Sequence, residues 1–236
     1  MKLAGLILAI LAGPMFVVCL VGLSPQSAPS RTSHSDARVS EARTQLVAQN
    51  SGNGQAGPRK LTPQQQAMII AAAQRANTKL KRMVANSMRE QPDQTPTVLS
   101  DFEVNSFVLA GGLPMPTGVK RVAFETKPGV INALAKVDFD EITASKRSSN
   151  PLLYLFRGLH DVHTTAAAQG SGGAAKIEVQ TVEIDGVKVP RVALEYFVEH
   201  YVTSNHPGVG LTTTFHMPDR IDLAIVGQHQ VTFTQK

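Results

Sequence analysis

Cysteine is almost absent from this chain. The single one, Cys19, lies inside an apolar run near the start, so residues 20–236 can form neither an intrachain disulfide nor a thiolate metal site. Val17 and Val18 precede it. A lipidated cysteine would need a small residue immediately before it, and a lipid-facing thiol fits better. Tryptophan is missing and only 5% of the residues are aromatic, which removes the usual platform for stacking bases or sugars. Glycine patterns of the Rossmann and P-loop types are also missing, and no Gly-x-Ser-x-Gly elbow supports a triad.

What is present begins with Leu3–Leu23, a stretch of 21 residues without a charge. That length spans a bilayer core, whereas the apolar region of a signal peptide is normally shorter. The reading is a signal anchor with its N-terminus inside and one transmembrane helix. The rest of the chain would then face the periplasmic or extracytoplasmic side of the inner membrane. Cleavage of the segment as a signal sequence is the alternative. Residues 24–60 follow, rich in Ser, Gln, Gly and Pro and poor in large apolar residues. Such a segment cannot bury enough surface to offset its chain entropy, so it reads as a flexible tether.

The net charge of +5 conceals an asymmetry. Nearly half of the basic residues fall in 31–91, where only Asp36, Glu41 and Glu90 oppose them, and 93–236 is mildly acidic. A basic segment next to a membrane anchor points to anionic head groups rather than nucleic acid. Arg75, Lys79, Lys81, Arg82 and Arg89 are the residues expected to meet that surface. They sit on a helix expected within 61–92: Thr62 as cap, Pro63 at the first turn and Gln65 completing a capping box. Ile69, Ala73, Ala76, Leu80, Met83 and Val84 give it one apolar stripe.

A second capping box, Ser100-Asp101-Phe102-Glu103, starts a shorter helix that Gly111-Gly112 ends. Val119–Lys127 and Val130–Ile142 read as a hairpin turned at Pro128-Gly129. Leu152–Phe156 is nearly all apolar and suits a core element or a contact site. Strands are expected at Val162–Gln169 and Ala175–Asp185, separated by a flexible Gly170–Gly173. Asp185-Gly186 marks a tight turn, and Arg191–Thr203 has helical spacing. Leu211–His216, Arg220–Val226 and His229–Thr234 read as a closing meander. Together these predict an α+β domain over 61–236: a mostly antiparallel sheet packed on amphipathic helices.

Candidate chemistry is sparse. His160-Asp161-Val162-His163 is the one local cluster with metal-ligating residue types, but residues three apart on a strand face opposite sides. Glu195 and Glu199, four apart on one helix beside His200, usually mean a solvated face rather than an acid–base pair. No catalytic residue, metal or cofactor is expected.

The run Val182-Glu183-Ile184-Asp185-Gly186-Val187-Lys188-Val189-Pro190, the helix after it and Met217-Pro218-Asp219-Arg220-Ile221 form one pattern, with Glu103-Val104-Asn105 as its entry. Over 97–236 this pattern resembles membrane-anchored bacterial envelope domains similar to tubular lipid-binding, bactericidal/permeability-increasing-like halves. The resemblance implies a curved sheet around a long helix, an apolar groove and a non-enzymatic lipid role. A groove of that kind would be lined by Phe107, Phe124, Val137, Phe139, Phe197 and Tyr201. The partners would be membrane lipids; the other reading is a scaffold or assembly subunit that binds an envelope protein, its sheet filled by its own side chains.

Overall fold

The computed structural model describes residues 61–144, 157–199 and 209–236. The apolar segment, the tether, Leu152–Phe156, His200, Tyr201 and His206 lie outside them. Among the described residues no helix is long and apolar enough to cross a membrane.

Helix α1, Pro63–Ser87, starts as its sequence dictates. The Thr62 hydroxyl accepts from the Gln65 amide at 3.2 Å, and the Gln65 side chain accepts from the Thr62 amide at 2.9 Å. Ile69, Ala72, Ala73, Ala76, Leu80 and Met83 are buried along one side. The helix ends a turn earlier than Pro92 requires, because Asn86 is pulled inward. Its amide donates to the Asp93 carbonyl (2.8 Å) and to the buried Gln235 side chain (2.9 Å). Gln235 in turn donates to the carbonyls of Met83 (2.7 Å) and Asp219 (2.6 Å). A buried amide pair satisfied in this way fastens the helix end to the last strand.

A four-residue strand, β1 (Thr97–Ser100), runs directly into α2 (Asp101–Leu109). The α2 capping box forms as expected, with the Glu103 amide on the Ser100 hydroxyl at 3.2 Å and the Ser100 amide on the Glu103 carboxylate at 3.1 Å. Two hairpins follow. The first is β2 (Val119–Lys127) with β3 (Val130–Asp138), and the second is β4 (Leu159–Ser171) with β5 (Ala174–Ile184). Strand β3 stops at Asp138 rather than Ile142, because Phe139–Ala144 coils into a short helix, α3. The Asp138 carboxylate accepts from the Asp140 and Glu141 amides and so caps that turn. The glycines expected to separate two strands flexibly are part of the second hairpin: Ser171 pairs with Ala174 across a two-residue turn. The Asp185-Gly186 turn leads into β6 (Val187–Lys188), and α4 spans Arg191–Phe197.

The C-terminal strands are β7 (Thr212–His216), β8 (Ile221–Gly227) and β9 (Gln230–Gln235). They are not one meander. β8 pairs with β9 and β9 with β1, but β7 pairs with β5. All pairings are antiparallel, and β4 is the branch point. It carries β3 on one edge and β5 on the other; beyond the end of β3, Gly170 meets Ala224 of β8. The crossing needs glycine: a Cβ at 170 would lie 2.9 Å from the Ala224 Cβ and 3.1 Å from the Met217 sulfur. The architecture is therefore α+β with an open antiparallel sheet. Alternate residues of β2–β5, β8 and β9 join α1, α2 and α4 in one continuous apolar core.

Candidate functional site

Three of the residues expected to line a groove, Phe124, Val137 and Phe139, lie in that core. Phe124 and Phe139 are each 4% exposed and Val137 is fully buried. They pack with Val104, Val108, Ile131 and Val162 in the same cluster. Phe107 is half-buried against its margin. Gly112 sits over the Phe107 ring so closely that a Cβ there would be 2.4 Å from Cε2. Tyr201 lies outside the described residues, and Phe197 closes α4.

The basic helix is more committed than its sequence implies. Arg75 and Lys79 both reach Glu103 of α2, at 3.4 and 2.8 Å. Burial raises the Glu103 pKa, but the Lys79 ammonium, the Ser100 amide and Arg75 outweigh it and hold the carboxyl below its usual value. Arg82 pairs with Asp93 at 3.2 Å. Lys81 and Arg89 are exposed. Three of the five expected membrane-facing cations thus have acidic partners within the domain, and two face solvent.

Other polar groups protect strand edges. Side chains four apart on α2 match groups two apart on the outer edge of β2. The Asn105 amide donates to the Phe124 carbonyl and accepts from the Phe124 amide, both at 2.8 Å. The Asp101 carboxylate accepts from the Thr126 amide at 2.8 Å and the Thr126 hydroxyl at 2.7 Å. The Thr126 carbonyl accepts from the His229 amide at 2.9 Å. At β1, the Val98 carbonyl accepts from Lys79 at 2.8 Å. An edge occupied in this way cannot recruit another strand. Sequence reasoning placed Asp101 in a capping box and Asn105 in an entry element but gave neither this role, although their spacing of four was visible.

The histidine pair separates as strand geometry requires. His160 turns inward beside Phe139, the rings edge to face at 5.5 Å, and His163 lies on the other face near Glu183. Both ring nitrogens of His160 meet acceptors: the Asp185 carboxylate at 2.5 Å and the Arg157 carbonyl at 2.9 Å. Only the imidazolium donates at both positions. The Asp185 hydrogen bond, ahead of the Arg157 carbonyl, accordingly raises the His160 pKa despite some burial. The bond from His160 lowers that of Asp185, whose other oxygen accepts from the Asp161 amide. The cluster fastens the start of β4 to the β5–β6 turn. Glu195 is paired with Arg191 at 2.9 Å along α4. Among the described residues no three His, Cys, Asp or Glu side chains converge on a metal position.

No family model, curated protein or solved structure matches this chain.

Proposed function

We propose that this chain is a non-enzymatic assembly module of the cell envelope, held at the inner membrane by residues 3–23 and acting through its surface rather than an internal lipid groove. One observation carries the choice: Phe124, Val137 and Phe139, which a groove would need, are spent on packing with α1, α2 and the sheet. A well-packed interior leaves no dry volume for an acyl chain. The polar clusters support the same reading, since Glu103, Asp101, Asn105 and His160 each tie two elements together. Lys81 and Arg89 would add a weak, salt-sensitive attraction to anionic lipid, about 1 kcal/mol for each residue near the surface. Native mass spectrometry of the full chain released from detergent tests the proposal. A spectrum free of bound lipid is expected, and a stoichiometric acyl lipid would contradict it in favour of a carrier.

A further inference from the structure

Strand β7 differs from the β1 and β2 edges of the sheet. The Val179 amide donates to the Leu211 carbonyl at 2.7 Å, and the Met217 amide donates to the Gly173 carbonyl at 2.8 Å. Between them the register is regular: Thr213 faces Ile177 and Phe215 faces Ala175. Residues 211, 213, 215 and 217 therefore turn their backbone groups toward β5, and Thr212, Thr214 and His216 turn theirs away. Among the described residues nothing hydrogen-bonds to those outward groups. The side chains of Thr212, Thr214 and His216 are exposed as well. Among the described residues nothing that normally blunts an edge is present here: the strand holds no lysine, proline or bulge, and no described side chain covers it. By contrast, β2 is covered by Asp101 and Asn105 and β1 by Lys79.

We propose that the outer edge of β7 pairs antiparallel with the same edge of a second copy of the chain, about a twofold axis at Thr214. This register places Thr214 opposite its own symmetry mate and Thr212 opposite His216. Each outward residue then both donates and accepts, so none of the free backbone groups is left over. An isologous pairing of this kind closes after two copies and does not propagate.

Charge favours the same occupant. The strand carries no acid or base apart from His216. Its outer-face neighbours on β5 are Lys176, beside Thr214, and Glu178, beside Thr212. Across the axis the two Lys176 residues stand three strand spacings apart, about 14 Å. That exceeds the Debye length of roughly 8–10 Å, so their repulsion is screened. Glu178 stands two spacings, about 10 Å, from the His216 of the other copy, so no carboxylate faces another across the axis. On the inner face Thr213 meets the other copy's Phe215, whose half-buried ring borders the core.

The proposal rests on the assembly reading above and names its partner. Its test is the mass of the full chain in detergent micelles over a range of concentrations, by sedimentation or light scattering. A reversible monomer–dimer equilibrium is expected. Thr214→Lys and Thr214→Glu should each weaken it at least about tenfold, because like charges then face each other across the axis. At concentrations low enough that every chain is a monomer, melting temperature should not change, since that side chain is exposed and its N–H points away from β5. Mixing the two variants should restore a heterodimer, the introduced ammonium lying beside the introduced carboxylate. A monomeric wild-type chain would overturn the proposal and leave the edge to a strand from a different protein. Variants that dimerise as the wild type does would overturn it too, as would a mixture that stays monomeric. Lipid in the native mass spectrum would contradict the assembly reading instead, so the two failures are distinguishable.

Discussion

At the scale of single residues, the domain is held by side chains that each serve two elements. Asn105 is the clearest, giving and accepting at one position on the β2 edge. Asn105→Leu is expected to cost about 1–3 kcal/mol, since it orphans a backbone donor and acceptor at a part-buried edge; urea unfolding measures it. The same substitution reopens that edge to foreign strands and should raise aggregation. His160 makes stability depend on pH in a direction that can be worked out. Its pKa is raised, so its contribution is complete below the ordinary value of 6.5 and is lost as pH rises through the folded value above it. The pKa of Asp185 is lowered, so its contribution is complete above the ordinary value of 3.8 and is lost as pH falls through the folded value beneath. The difference in melting temperature between wild type and His160→Gln should therefore be largest between those two ordinary values and shrink on either side. A difference that stays flat from acid to alkaline pH would show that the ring acts only by packing on Phe139.

At the scale of elements, local order was legible in the sequence and long-range strand pairing was not. The capping boxes at Thr62 and Ser100 formed as read, because a capping box is a local hydrogen-bond pattern contained within four consecutive residues. Thr62→Ala and Ser100→Ala are expected to cost about 1 kcal/mol each, with Ser100→Ala the more severe because the Glu103 amide it leaves unpaired is part-buried, whereas the Gln65 amide at the first cap is exposed. Glu103→Gln keeps an oxygen for the Ser100 amide but removes the charge that Lys79 and Arg75 meet. A loss of about 1–3 kcal/mol follows, and it should fade as acid protonates the wild-type carboxylate below its usual value. Strand β1 was not legible, since four residues beside Pro96 carry no period of their own. It exists because Leu99 fills the core and the ladder to β9 accepts it. The final meander failed for a related reason. Local turn signals at Pro218-Asp219 mark where the chain bends but not which strand it joins, and β7 crosses to β5.

At the scale of the whole molecule, burial was easier to foresee than its meaning. The alternation Ile131, Ala133, Ala135, Val137 correctly marked an inward face. It could not distinguish a face lining a groove from one pressed against helices, because both demand the same apolar residues. Among the described residues α1 and α2 bring Leu80, Met83, Val104 and Val108 into the cluster that contains Phe124, which is the ground for the packed reading proposed above. The ties between Asn86 and Gln235 and between Asp101 and Thr126 were equally hidden, since nothing local couples residues so far apart in the chain. The charge asymmetry was real in sequence, yet Glu103 and Asp93 take up Arg75, Lys79 and Arg82. Vesicle binding should accordingly fall on Lys81→Glu and Arg89→Glu, with little change on Arg82→Glu; co-sedimentation in low salt reads the difference. The central claim, an interior filled by its own side chains, is tested most directly by urea unfolding of the full chain and its Phe124→Ala variant, with and without added phospholipid. A packed core predicts a loss of about 3–5 kcal/mol that lipid does not alter in either protein. A small loss, or a wild-type stability that climbs with lipid concentration as a bound ligand requires, would contradict it.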